Sequence, residues 1–170
     1  MSEPLRCAII TISDRAFNGQ RPDLSGPALK EQIESLGWIL VSKKLVPDEM
    51  TEIQACLRMI IDSDAADVIF TTGGTGCSPR DVTPEASLAV IEKSVPGLAE
   101  VMRMESIKQN PHGILSRGVA GISRSTLIIN LPGSPKGAME NLMVIAAVLP
   151  HAVALIHSSS DAEAGHQFTH

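Results

Sequence analysis

Two short stretches combine groups that suit phosphate with groups that suit a hard cation. The first is Thr71-Thr72-Gly73-Gly74-Thr75-Gly76, followed closely by Pro79-Arg80-Asp81-Val82-Thr83-Pro84. Glycines at this density let a phosphate approach backbone N–H groups closely. Arg80 can grip phosphate oxygens bidentately, and Asp81 offers a carboxylate of the kind a hydrated magnesium ion takes, directly or through water. The second stretch is Pro132-Gly133-Ser134-Pro135, with Lys136 beyond it as either a phosphate contact or a solvated lysine. Ser13, Asp14, Ser25, Asp48 and Ser116 add hydroxyls and carboxylates elsewhere. The glycine run alone is no stronger than a plain turn, because it has neither the Lys-Ser/Thr ending of a P-loop nor the third glycine of a dinucleotide fingerprint. Arg80 could equally pair with Asp81 or another surface acid, and Asp48 could simply cap a helix. Taken together, the groups suit chemistry in which phosphates are positioned and their charge is neutralised, with no covalent nucleophile required.

Such residues act together only if the fold brings them to one place. Residues 7–12 (CAIITI) read as a buried strand that ends at Ser13-Asp14, and residues 15–25 as a polar loop with Ser25 capping the next helix. Leu29, Ile33 and Leu36 repeat at helical spacing before Gly37, and a strand over residues 38–46 follows. Asp48 stands before a second amphipathic helix carrying Ile53, Leu57, Ile60 and Ile61, which ends near Ser63. Residues 67–72 (DVIFTT) are the clearest buried strand and run straight into the glycines. Thr83 with Pro84 reads as an N-cap and first helical position, and residues 97–108 as a further helix. Residues 126–131 form a strand entering the Pro132-Gly133 turn. A last helix over residues 137–157 should kink or split at Pro150. The alternation of strands and helices predicts an α/β fold with a mostly parallel sheet, whose ligands collect beyond the carboxyl ends of the strands.

Composition narrows the partners. A chain of 170 residues with 44% hydrophobic content suits one domain, residues 1–157, with residues 158–170 expected to be a flexible polar tail. Fourteen basic against nineteen acidic residues give a net charge of −5, which speaks against nucleic acid as a partner. Cys7, Cys56 and Cys77 lack paired metal-ligand spacing and suit reduced thiols in the cytosol, with Cys77 as packing or loop filler. His112, His151, His157, His166 and His170 lack the spacing of a zinc site. The N-terminus carries no charged-then-apolar leader. The apolar residues 144–149 stop at Pro150, too short for a membrane span, so a soluble cytoplasmic protein is expected.

In this order, Thr11-Ile12-Ser13-Asp14, Asp23-Leu24-Ser25-Gly26, Val46-Pro47-Asp48-Glu49, the glycine run, the segment from Pro79 to Ala86, Leu115-Ser116-Arg117 and the segment from Ser125 to Gly133 resemble the Mog-type molybdopterin adenylyltransferases, a family that includes the G domain of gephyrin. The resemblance covers about residues 6–156. It implies a three-layer α/β molybdopterin-binding fold, a homotrimer, and transfer of AMP from ATP to the terminal phosphate of molybdopterin with Mg2+. It further implies that Asp48 and Asp81 are the essential carboxylates and the magnesium ligands, that Ser116 belongs to the pterin side, and that Gly73 to Gly76 with Gly133 and Ser134 line the nucleotide region. Hand-over of the product to a molybdenum-inserting enzyme is a further expectation. The alternatives are a non-catalytic pterin-binding sister protein of the same fold and a trimeric scaffold domain. The intact Arg80-Asp81-Val82-Thr83-Pro84 segment favours the catalytic reading.

Overall fold

The computed structural model describes residues 3–157, so the expected polar tail lies outside the described residues. Along the chain run β1 (Arg6–Ile12), α1 (Asp14–Phe17), α2 (Ser25–Ser35), β2 (Ile39–Val46), α3 (Met50–Asp62) and β3 (Val68–Thr72). Then come α4 (Thr83–Leu88), β4 (Lys93–Ser94), α5 (Pro96–Gln109), β5 (Ala120–Ser123), β6 (Thr126–Leu131), α6 (Pro135–Ile145) and α7 (Leu149–Ile156). The strands form one sheet in the order β2-β1-β3-β6-β5-β4. The first four positions are parallel, and β5 and β4 are added antiparallel at one edge.

Successive side chains of a strand point to opposite faces, and here both faces are covered, which is why residues 7–12 are apolar on both faces apart from Thr11. Cys7 and Ile9 of β1 join Val68, Phe70, Leu127 and Ile129 on one face, beneath α2, α5, α6 and α7. Ala8, Ile10 and Ile12 turn to the other face with Ile69 and Ile128, beneath α3 and α4. The expected three-layer, mostly parallel α/β architecture is therefore present. Phe70 and Leu57 are fully buried on opposite faces.

Several local expectations change. The loop after β1 opens with one turn of helix, α1, whose N-cap is Ser13; its Oγ accepts from the Ala16 N–H at 3.3 Å. Ser25 is the first residue of α2 rather than its cap, and the Asp23 carboxylate accepts the Gly26 N–H at 2.9 Å. Thr83 likewise lies inside α4, with Val82 at the cap position. Its hydroxyl donates to the Gly73 carbonyl at 2.8 Å, a buried tertiary bond that prevails over local capping. Cys77 is exposed in the loop after the glycines, with its thiol 3.6 Å from the Leu115 carbonyl, which leaves the loop-filler reading rather than core packing.

The last helical segment splits, but earlier than Pro150. A 3-10 turn at Ala146–Val148 separates α6 from α7, and Pro150 falls in the first turn of α7, where its missing N–H is tolerated. The run Pro135–Ile156, longer than the apolar residues 144–149 marked in the sequence, is 22 residues long and, by length and composition alone, apolar enough to cross a membrane. Ala138, Leu142, Ile145, Leu149 and Val153 of this run are buried in the core against the sheet.

Candidate active site

The parallel register aligns the carboxyl ends of four strands. Ile12 stands beside Val46, Thr11 beside Thr72, and Thr72 beside Leu131. The chain leaves β1 for β2 on one side and later returns to β3 on the other, so a topological switch point lies between β1 and β3, where open α/β sheets bind ligands. The residues emerging there are Ser13, Asp48, Gly73 and Gly133. Backbone bonds tie them: the Ser13 N–H donates to Val46 O at 3.0 Å, and the Gly73 N–H to Leu131 O at 3.3 Å. The Thr72 hydroxyl donates to Pro132 O at 2.7 Å, so the two glycine turns are fastened to each other.

Two cavities open at this edge. The first, about 490 Å³, is walled by Ser13, Ser25, Asp48, Thr72, Gly73, Gly74, Asp81, Gly133 and Ser134. The second, about 580 Å³, is walled on one side by Thr75, Gly76 and Ser116 and shares Ser134 with the first. The glycine run is thus the partition between them, Gly73-Gly74 facing one and Thr75-Gly76 the other. Ser134 also caps α6, accepting the Gly137 N–H at 3.2 Å. The positive end of the α6 dipole therefore stands where the cavities meet, a place suited to anions.

The cavities gather most of the residues singled out from the sequence, but not Asp14 and Arg80. Among the described residues these two stand outside both walls. The Arg80 guanidinium reaches Asp14 at 3.0 and 3.1 Å and Glu49 at 2.8 Å, so its acidic partners are these rather than Asp81, and it does not face the cavity. Asp14 in turn exchanges bonds with Asp48: the Asp14 N–H donates to Asp48 Oδ2 at 2.7 Å and the Asp48 N–H to Asp14 Oδ1 at 3.0 Å. Asp48 therefore does not cap α3; Glu49 holds the cap position.

Burial pushes the Asp48 carboxyl above its ordinary range; the charges of Asp14 and Asp81 push the same way, while the Asp14 N–H and Arg80 oppose them. A carboxyl raised on folding favours the native state most when protonated. That contribution is fully present below the unfolded-state pKa and is lost as pH rises through the folded-state value. Asp48→Asn, which can still accept the Asp14 N–H, is accordingly expected to melt above wild type at pH 7. The gain should vanish below about pH 4, where aspartate is protonated even when unfolded. Thermal unfolding across pH checks this; a variant that melts below wild type at pH 7 contradicts it.

Two cations of the site escaped the sequence reading. Arg21 lies in the wall of the first cavity, its Nη2 donating to Ser13 Oγ at 3.2 Å. Arg103 lines the second, donating to Gly118 O at 2.9 Å, and Lys136 stands in the same wall. Arg21 sits in the loop already marked by its Gly, Pro and Asp content, but nothing in that pattern says which side chain turns inward. Asp23, which accepts the Thr11 hydroxyl at 2.9 Å, was visible only as part of a quoted motif. Among the described residues no group of three or more His, Cys, Asp or Glu is placed to hold a metal ion.

Fold and site define a doubly wound α/β protein with paired cavities at the switch point of its sheet. A family model described as "Probable molybdopterin binding domain" matches residues 8–151, and the chain belongs to that family. It is 47% identical over 155 residues to the molybdenum cofactor synthesis protein cinnamon of Drosophila melanogaster, covering 91% of this chain but 26% of that protein. It is 41% identical over 156 residues to the molybdopterin adenylyltransferase of Helicobacter pylori strain J99, covering 91% of this chain and 89% of that enzyme. The crystal structure of the molybdopterin biosynthesis enzyme MoaB from Thermus thermophilus superposes with a TM-score of 0.86 at 45% identity, covering 91% of this chain and 98% of that one.

Proposed function

We propose that the protein is a molybdopterin adenylyltransferase, transferring AMP from Mg-ATP to the terminal phosphate of molybdopterin with release of pyrophosphate. The observation that carries this reading is the pair of cavities divided by the glycine run: one bears the carboxylates Asp48 and Asp81, the other bears Ser116 with Arg103 and Lys136. The relatives named as adenylyltransferases support the substrates.

The triphosphate occupies the first cavity, close to the backbone of Gly73 and Gly74 and within reach of Arg21. The pterin occupies the second, beside Ser116, with its phosphate at the α6 N-terminus. A terminal phosphate oxygen of the pterin forms a bond to the α-phosphorus of ATP as the bond to the β-phosphate oxygen breaks, and pyrophosphate leaves. Asp48 and Asp81 are hard oxygen donors in one cavity, and the charge of Asp81 disfavours the ionised form of Asp48, a cost that a cation beside them would offset. Asp48 and Asp81 are the residues that would hold a magnesium ion, which would supply charge neutralisation at the phosphates and at the leaving pyrophosphate. The protein's own part is positioning: two anionic groups are brought together by fixed dipoles, with no side chain modified.

We also propose a homotrimer that passes its product to a molybdenum-inserting enzyme in the cytosol. Exposed Met104, Ile107, Ile114 and Leu115, on α5 and the turn after it, are in keeping with a subunit contact. The free thiols of Cys7, Cys56 and Cys77 are in keeping with a reducing compartment.

Purified protein given molybdopterin, ATP and magnesium is expected to release one pyrophosphate per adenylylated pterin. Tight binding of the pterin with no pyrophosphate released would instead make it a non-catalytic pterin-binding protein.

A further inference from the structure

Arg117, next to Ser116, is bonded to three segments at once. Its N–H donates to Thr75 O at 2.9 Å, its Nε to Gly76 O at 2.7 Å and its Nη2 to Asp81 O at 2.6 Å, while Nη1 pairs with Glu85 in the first turn of α4. One guanidinium thereby spans the end of the glycine run, the Asp81 turn and the start of the following helix. Between its two carbonyl partners the chain makes a small closed turn. The Asp81 N–H donates to Ser78 O at 2.9 Å, and the Ser78 N–H donates to Asp81 Oδ2 at 2.8 Å. The same carboxylate oxygen lies so near Gly76 that a Cβ there would stand 2.8 Å from it.

We infer that Arg117 is a positioning residue for the transfer reaction: it clamps the Gly76 and Asp81 carbonyls so that the Asp81 carboxylate is held against the glycine run, facing the first cavity. The clamp is half exposed, with the side chains of Arg117 and Glu85 exposed to 38% and 46%, so it adds little to global stability. Its effect is on geometry, where a displacement of about 1 Å costs on the order of 100-fold in rate. Lysine cannot replace it, because a single ammonium has no planar array of donors to serve two carbonyls and a carboxylate together.

The inference rests on the role given to Asp81, and the test separates the two. Arg117→Ala and Arg117→Lys are made in the wild-type and Asp81→Asn backgrounds, and pyrophosphate release is followed in single turnovers at high enzyme concentration. Amide hydrogen exchange over residues 76–82 is measured alongside. The expected result is a fall in the single-turnover rate of about 100-fold for both Arg117 variants in the wild-type background, with the half-saturating concentrations nearly unchanged and no further fall where Asp81 is already replaced. Exchange over residues 76–82 should quicken while the melting temperature barely moves. An equal fall in both backgrounds, full rescue by lysine, or unchanged exchange overturns the role of Arg117. If wild type releases no pyrophosphate, the adenylyltransferase reading fails by itself, and the exchange experiment alone decides whether Arg117 holds the Asp81 turn.

Discussion

Replacing Asp81 by asparagine is expected to reduce pyrophosphate release by on the order of 1,000-fold, the scale of losing a preorganised electrostatic partner at a reacting phosphate. Asparagine keeps the shape and still accepts the Ser78 N–H through its carbonyl oxygen, so the turn at residues 78–81 remains closed. What is lost is one negative charge in the wall of the cavity shared with Asp48. Stability should change by no more than about 0.5 kcal/mol, as for other half-exposed polar substitutions. The measurement pairs pyrophosphate release at saturating substrates with a thermal melt. Turnover within tenfold of wild type (about 1.4 kcal/mol in the barrier) would remove Asp81 from the catalytic machinery.

Gly73→Ala is expected to have the largest effect on folding of any substitution in the glycine run. Gly73 has φ of +105°, a region that side-chain-bearing residues rarely enter, and a Cβ there would stand 2.2 Å from the Ile12 carbonyl oxygen. That oxygen belongs to the backbone of the interior strand β1, so the clash cannot be relieved by turning a side chain. Strain and displacement together should cost about 3 kcal/mol, read as a lower urea midpoint. Because β1 delivers Ser13 and, through Asp14, holds Asp48, activity should fall with it. Gly97→Ala serves as the control: a Cβ there meets nothing within 4 Å, and the change should be neutral or slightly stabilising. An unchanged urea midpoint for Gly73→Ala would mean the turn can reshape without moving β1.

How much of this was legible beforehand depended on whether the signal was local. The strands β1, β3 and β6 are buried on both faces, so largely apolar, β-branched runs mark them within a residue of their ends. Helices α2 and α3 show their apolar spacing in the chain itself, and Gly37 marks the end of the first. By contrast β4, of two residues, and β5, Ala-Gly-Ile-Ser, are too short and mixed to announce themselves. They are strands because β6 offers an edge to β5, and β5 in turn to β4. Ser25 and Thr83 have the chemistry of caps, yet Asp23 takes the capping bond of α2 and Gly73 takes the Thr83 hydroxyl.

Periodicity and turn chemistry act over a few residues, and they were enough to specify the layered α/β fold and the glycine turns and carboxylates that its strands deliver to one edge. That the glycine run would divide two cavities followed only from the packed chain. Packing also turned Arg80 away onto Asp14, 66 residues distant, while Arg21 entered the first cavity wall and Arg117 closed the Asp81 turn. Those outcomes depend on which charged groups meet after the strands pair in register, and an arginine's choice among carboxylates and carbonyls is settled by distance and geometry that no local spacing encodes.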